Sequence, residues 1–276
     1  MAATSLADRC TWQVPTYETE LWLGKRHDRC VIIPVINEGA RIESLLQRMQ
    51  GLGVPEIADV ILVDGGSIDG SLAHEMLQTV NARGLLRKTG PGRLSAQLRC
   101  AYAFALDNGY AHIVTIDGND KDDPAAIPAF FQALEAGADF VQASRYIKGG
   151  RAINTPLLRT LAIRAIHAPL LRLFSGFPWT DTTQGFRGYS ARLLADPALA
   201  VFREGFDRYE LLAYLSCRAP RLGFRCIELP TTRSYPAEGK VPTKISSVRG
   251  NLEVLSTLFR VCLGRLNPPR SGAGPS

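Results

Sequence analysis

At 276 residues, 46% hydrophobic and with a net charge of +6, the chain is long enough for one large domain with a substantial core. It has no uninterrupted apolar run of roughly eighteen residues and no basic-then-apolar leader, so neither a membrane-spanning helix nor a signal peptide is expected. Its six cysteines show no CxxC or zinc spacing, which fits a cytoplasmic protein in a reducing compartment, and the positive balance favours an anionic partner.

Residues 1–28 show no period and hold Pro15, Trp12 and Trp22, which predicts an extended arm over the core. CVIIPVI (30–36) reads as a buried strand that ends on Asn37 and Glu38. Helical spacing follows at Ile42, Leu45, Leu46 and Met49. A second strand (60–63) ends on Asp64-Gly65-Gly66. Ser67 and Asp69 lead to a helix with Leu72, Met76, Leu77 and Val80 on one face. A short third strand (84–88), a Gly-Pro-Gly-Arg turn and a helix (94–106) come next. The pattern is β-α repeated, with crossovers long enough for parallel pairing, and predicts a nucleotide-binding type of α/β sheet.

IVTIDGNDKDDP (113–124) is then the most informative stretch. A β-branched run enters a burst of four carboxylates, Asp117, Asp120, Asp122 and Asp123. In open α/β sheets ligands bind where strands end. Clustered carboxylates repel one another, so the cluster points to a hard cation that holds phosphates. The plainer reading is a solvated acidic loop in which Asp122 or Asp123 caps a helix starting at Pro124. A helix (127–134) and a fifth strand (139–143) complete this half.

The second half changes character. LLRTLAIRAIHAPLLRLF (157–174) is apolar with Arg159, Arg164, His167 and Arg172 interspersed, and Pro169 should kink it. It reads equally as a basic amphipathic segment at a membrane interface or as a core helix with outward arginines. Residues 252–266 are a second such segment. VPTKISSVRGN (241–251), with Lys244 and Arg249, is a basic loop before a helix and could close over a phosphate. The tail, 267–276, is rich in Pro, Gly and Ser and is expected to be disordered. The basic residues are not interleaved with aromatics in a recognisable module, which argues against nucleic acid.

Two parallel strand ends place Asn37, Glu38 and Asp64 together, where they could read a base or ribose. Arg93 in its turn could reach a phosphate. The order of motifs resembles a known family. PVINE (34–38), VDGGSIDGS (63–71), TGPGR (89–93), TIDGND (115–120), DFVQASRYIKGG (139–150), DTTQGFRGYS (181–190) and RYELL (208–212) succeed one another as in the family 2 glycosyltransferases. Within these the chain is similar to the dolichol-phosphate mannose synthases and related polyprenyl-phosphate sugar transferases.

The resemblance implies a GT-A fold over 29–266. Its nucleotide-sugar half is 29–150 and its acceptor half 151–266. It further implies a nucleotide-diphospho-sugar donor, inversion, and a polyprenyl phosphate or other small acceptor, at the inner membrane surface if the acceptor is a lipid. Pro34, Asn37, Glu38 and Asp64 match donor base and ribose positions, and Ser144 and Arg145 match a strand-end pair. Asp181, Gln184 and Gly185 match an acceptor loop, Glu210 an acidic helix position, and Arg233, Lys240 and Lys244 basic positions near the phosphates.

The chain departs from the family at Gly65, where a second Asp is usual, and at Asn119, which ends the DxD motif without charge. Lys121 stands where a neutral residue is common. Mg2+ or Mn2+ is therefore expected on Asp117, with help from Asn119 or Asp120, and Lys121 could partly replace it.

A hydroxyl acceptor would need a base, for which Asp181 and Glu210 are the candidates. A phosphate acceptor would need none. Two other classes stay open on sequence alone. A nucleotidyltransferase shares such a sheet, although PVINEGAR is a poor triphosphate loop, and a nucleotide-sugar binding protein without catalysis would also fit.

Overall fold

The protein is described by a computed structural model that covers residues 9–236 and 248–269, with side chains described from 253 onward in the last segment. The first half alternates as the sequence predicts. β2 (Arg29–Val35), β3 (Asp59–Asp64), β4 (Gly84–Lys88) and β5 (His112–Thr115) are linked through α1 (Ala40–Gly51), α2 (His74–Thr79) and α3 (Leu94–Asp107). β4, β3, β2 and β5 lie side by side and parallel. The strand ends are in register, Val35 opposite Asp64 and Ile32 opposite Thr115, so the loops after β2, β3 and β5 open on one edge.

These strands read as continuous apolar runs because both sheet faces are covered. Val31, Ile33, Val60 and Leu62 pack under α1 and α4 (Ile127–Glu135). Ile32, Ile61, Val63 and Leu86 pack against α3 on the other face. Pro34 is tolerated in a central strand because the β2–β5 ladder ends at Ile32 and Thr115; beyond it Pro34 contributes its carbonyl, which accepts from the Gly118 N–H at 3.4 Å.

The second half departs from simple alternation. β6 (Phe140–Ser144) is separated from β5 by β8 (Arg187–Ser190), which runs antiparallel to both, and β9 (Cys226–Pro230) closes that edge parallel to β6. With β1 (Tyr17–Trp22) at the far edge, the full order is β1-β4-β3-β2-β5-β8-β6-β9. A second, two-stranded sheet pairs β7 (Arg151–Ile153) with β10 (Thr232–Ser234). Outside it, α7 (Ala191–Ala195) follows β8, and α8 (Glu210–Arg221) packs against α9 (Val248–Cys262).

Two expectations are made specific. The arm is a strand: β1 (Tyr17–Trp22) pairs antiparallel with β4. Ahead of it Trp12 stacks on Phe202, with ring centroids 3.9 Å apart, which ties the arm to the acceptor half. The irregularity expected at Pro169 takes the form of a π turn ahead of it, Ile163–His167, between α5 (Leu157–Ala162) and α6 (Ala168–Ser175). The wider turn precedes the proline, which then sits in the first turn of α6, where its absent N–H costs nothing. The predicted loop at 241–251 and the tail beyond 269 lie outside the described residues, apart from the start of α9.

Candidate active site

The site is assembled from the loops at the carboxyl ends of β2, β3, β5 and β6 and the loop that leads into β8. Asn37 adopts φ +49°. Its Oδ1 accepts from the Ile68 N–H at 2.9 Å, and its own N–H donates to Ser67 Oγ at 3.0 Å. The Gly39 N–H donates to Asp69 at 2.9 Å. Buried Glu38 pairs with Arg41 at 2.8 Å. Asn37 and the Gly39 N–H thus stitch the two loops together, while Glu38 braces its own loop and Pro34 is buried in β2.

Asp64 is the open group of this set. Its Oδ1 accepts from the Gly66 and Ser67 N–H groups at 3.1 and 2.8 Å, while its Oδ2 has no hydrogen-bond partner and lies 3.8 Å from Arg87 Nε. The departure at Gly65 has a packing reason. Gln97 donates to the carbonyls of Val35 and Val63 at the strand ends, and a Cβ on residue 65 would lie 3.3 Å from its Oε1.

After β5, Asp117 keeps 21% of its side chain exposed. Arg233 Nη2 lies 3.4 Å and Asn119 Nδ2 3.5 Å from its Oδ2. Gly185 presses on the other oxygen: a Cβ there would sit 2.1 Å from Asp117 Oδ1, so only glycine leaves the carboxylate in place. Asp120 is not brought to Asp117. It takes φ +53° and turns to α1, bonding Ser44 Oγ at 2.6 Å and Arg48 Nη1 at 2.7 Å. Asp123 caps the turn at Pro124–Ala126 by accepting from the Ala125 N–H at 3.2 Å, as the capping reading expected.

Asp122 is buried and pairs with Arg233, whose strand β10 bonds the acidic loop through Ser234 N–H to the Lys121 carbonyl at 2.8 Å. Burial works against the Arg233 guanidinium, but Asp122 and Asp117 more than offset it and hold its pKa above the ordinary value. Lys121 is buried with its ammonium 5.1 Å from the centre of the Tyr235 ring. Burial first, and Arg233 second, hold its pKa below the usual lysine value.

Among the described residues no three His, Cys, Asp or Glu side chains are grouped to hold a metal. The Asn119 Oδ1 accepts from the Lys121 N–H at 3.3 Å while its amide nitrogen faces Asp117, so Asp117 and Asn119 would suit a hard cation only with the amide turned over.

On the acceptor side Asp181 is fully buried. It accepts from Arg145 Nε at 2.7 Å and Nη2 at 3.1 Å, and from Gln184 Nε2 at 2.7 Å. Burial would raise its pKa, yet the bonds and charge of Arg145 bring it below the ordinary carboxylate value. Arg145 Nη1 and Gln184 Oε1 stay without partners. Ser144 shares its hydroxyl with Thr180.

Glu210 is engaged too. Its Oε2 accepts from the Asp207 and Arg208 N–H groups at 3.1 and 2.6 Å, which holds the turn that leads into its own helix. Arg93 is exposed at the start of α3, its N–H bonded to the Asp207 carbonyl at 2.7 Å. Lys240, Lys244 and the side chain of Arg249 lie outside the described residues.

Four further residues belong to the site. Arg159 donates to the Tyr235 hydroxyl at 2.8 Å. Burial raises the Tyr235 pKa, but Arg233 and Arg159 bring it below the ordinary phenol value. Arg187, fully buried, holds the acceptor loop by donating to the Gln184, Leu212 and Thr182 carbonyls at 3.0, 2.7 and 2.8 Å. His167 on the π turn bonds Thr182 Oγ1 at 2.7 Å. Burial and the neighbouring Arg187 charge lower its pKa to about 4. The sequence signal for Arg159 was its place in a basic apolar helix. His167 shares that segment and Arg187 falls within DTTQGFRGYS, while Tyr235 carried no signal.

An open α/β sheet with carboxylates on the loops at its strand ends and a cationic edge beside them is the arrangement of a nucleotide-dependent transferase. A family model described as Glycosyl transferase family 2 matches residues 30–203, more than half of the chain, and the chain belongs to that family. It is 30% identical to the polyprenol monophosphomannose synthase of Mycolicibacterium smegmatis, over 73% of this chain and 76% of that one. It is also 30% identical to the undecaprenyl-phosphate mannosyltransferase of Micrococcus luteus, over 73% and 81%. The fold matches that of glucosyl-3-phosphoglycerate synthase from Mycobacterium tuberculosis in complex with Mn2+ and UDP-glucose, with TM-score 0.59, 19% identity, and 97% and 84% of the two chains covered. The protein is an enzyme of glycosyl transfer.

Proposed function

We propose that the enzyme transfers a sugar, with inversion, from a nucleotide-diphospho-sugar to the phosphate of a polyprenyl phosphate at the cytoplasmic membrane surface. One observation carries this reading. Both carboxylates that could serve as a base are engaged, Asp181 with Arg145 and Glu210 with two backbone N–H groups, while cations gather where an acceptor would lie. Lys121, Arg159 and Arg233 stand 5.1, 5.7 and 5.9 Å from the Tyr235 ring centre, and Arg145 offers an unpartnered Nη1. A phosphate acceptor is already an anion and needs the cations but no base.

Asp64 Oδ2 accepts a ring N–H, which uracil, thymine and guanine carry and adenine and cytosine lack. Asp117, with the Asn119 amide turned to present its oxygen, would hold Mg2+ or Mn2+, which would supply positive charge against the charge that develops on the leaving group. Lys121 adds a fixed positive charge beside it. Arg145, Arg159 and Arg233 orient the acceptor phosphate. Its oxygen forms the bond to the anomeric carbon from the face opposite the breaking C–O bond, and the nucleoside diphosphate leaves with that electron pair.

The test is product formation with undecaprenyl phosphate against its dephosphorylated alcohol. Product from the phosphate alone is expected. Product from the alcohol or another hydroxyl acceptor only would overturn the reading. Thermal-shift measurements with UDP, GDP, dTDP, CDP and ADP, each with and without Mn2+, test the donor side. CDP or ADP as the strongest stabiliser would remove the role given to Asp64.

A further inference from the structure

The helix that carries Arg159 is apolar on two faces. Inward, Ile163, Ala168 and Leu171 are buried in or against the core. Outward, Leu157, Leu158 and Leu161 at its start and Leu173 at its end are exposed, Leu158 by 81% and Leu173 by 76%. α9, which packs against α6, adds exposed Phe259 and Leu263. So many large exposed apolar side chains on one face mark an interaction surface.

Charge indicates what covers it. No acidic residue occurs between Asp139 and Asp181, while Arg145, Lys148, Arg151, Arg159, Arg164 and Arg172 all fall there. On α9 the sole acid, Glu253, is paired with Arg208, and Arg260 is exposed. Leucines flanked by exposed arginines with no opposing acid are complementary to anionic headgroups above acyl chains.

The same helix also reaches the site. Arg159 bonds the Tyr235 hydroxyl, and the Tyr146 hydroxyl reaches Thr160 Oγ1 at 3.4 Å. We infer that the outer face of residues 157–175, with α9, docks the enzyme on an anionic lipid bilayer and brings the cationic acceptor pocket to headgroup level. The purpose of this docking rests on the polyprenyl-phosphate reading, but the docking itself can be measured apart from it.

The experiment is co-sedimentation of the full chain with vesicles of phosphatidylcholine alone and of phosphatidylcholine with about 30% phosphatidylglycerol, a composition in which basic side chains near the surface add to binding. The vesicles contain no polyprenyl phosphate and no donor, so failure of the acceptor reading leaves the result untouched. Binding to the anionic vesicles, weakened by salt, is expected. The double substitution Leu158→Asp/Leu173→Asp should lower it at least tenfold. Arg164→Glu/Arg260→Glu should lower it by roughly fivefold or more for each charge, and less so at high salt.

Unchanged urea midpoints and nucleotide thermal shifts would show that both variants fold. Absence of vesicle binding by the parent chain, or binding that ignores the leucine substitutions, overturns the inference. So does a parent that is dimeric in solution and becomes monomeric on Leu158→Asp/Leu173→Asp, because a second copy would then cover the face.

Discussion

Asp117 and Asp181 stand at the ends of neighbouring strands, each beside an arginine, and the two surroundings lead to opposite uses. Asp117 meets Arg233 at 3.4 Å and keeps a fifth of its side chain in solvent. Asp181 meets Arg145 at 2.7 Å with none of its side chain exposed. A loosely paired, accessible carboxylate can exchange its partner for a cation. A buried bidentate one cannot release its arginine without leaving an uncompensated charge. Residue type alone made both of them candidates; pairing and exposure separate the ligand from the strut.

Replacing Arg145 tests the strut most severely. Arg145→Ala leaves Asp181 buried and unpaired and is expected to cost about 3–5 kcal/mol in urea unfolding, with activity lost as well. A loss below about 1 kcal/mol, as surface pairs show, would mean that the pair is not buried in solution. Asp117→Ala should do the reverse. Its stability should stay close to the parent's, while kcat falls by roughly a hundredfold or more and the response to Mn2+ disappears. Full activity with an intact metal response would sink the assignment of Asp117.

A pH titration sharpens the acceptor side. His167 is held neutral with its pKa near 4, against about 6.5 in the unfolded chain. Between those values the unfolded state binds the extra proton, so stability is full above pH 6.5 and falls as the pH drops towards 4. The slope is at most about 1.4 kcal/mol per pH unit. His167→Gln keeps a donor for Thr182 and should flatten that window in denaturant midpoints measured from pH 7 to 4. An unchanged slope would locate the proton elsewhere. Asp181, with its lowered pKa, contributes stability that is present above the ordinary carboxylate range and lost only below it, so the two windows do not overlap.

The smallest effect concerns Glu210. As the acceptor that holds the turn before its helix, Glu210→Gln should cost no more than about 1 kcal/mol and leave the alkaline side of the rate profile in place. Loss of kcat by two orders of magnitude would restore it as a base.

The two halves also differ in how much the sequence discloses. CVIIPVI, DVILVD and the spacing Ile42, Leu45, Leu46, Met49 announce their elements because both faces of a parallel sheet demand apolar residues and helices recur at one period. The loops that end these strands were legible for the same reason, with Asp64 and Asp117 at their tips. β8, by contrast, is RGYS: four residues, one of them a buried arginine whose side chain bonds three carbonyls. No hydrophobic pattern marks such a strand. Nor could sequence order show that Asp120 would turn to Arg48, or that Tyr235 would gather cations from three separate segments, since these depend on long-range contacts. The engagement of Asp181 with Arg145 and of Glu210 with two backbone N–H groups was hidden on the same ground, because residue type says nothing about whether a carboxylate's lone pairs are already taken.

The strand at the amino-terminal edge bears on how the protein behaves at high concentration. β4 would otherwise end the parallel block with open N–H and C=O groups beside Leu85 and Leu86. β1 covers that edge, and its ladder with β4 shifts register between Thr19 and Leu21, while Glu18 faces solvent. A bulge and an outward charge are devices that discourage strand-to-strand association between molecules. β1 therefore acts as a solubility guard, and trimming the chain back to β2 should yield protein that aggregates although every residue of the site is retained.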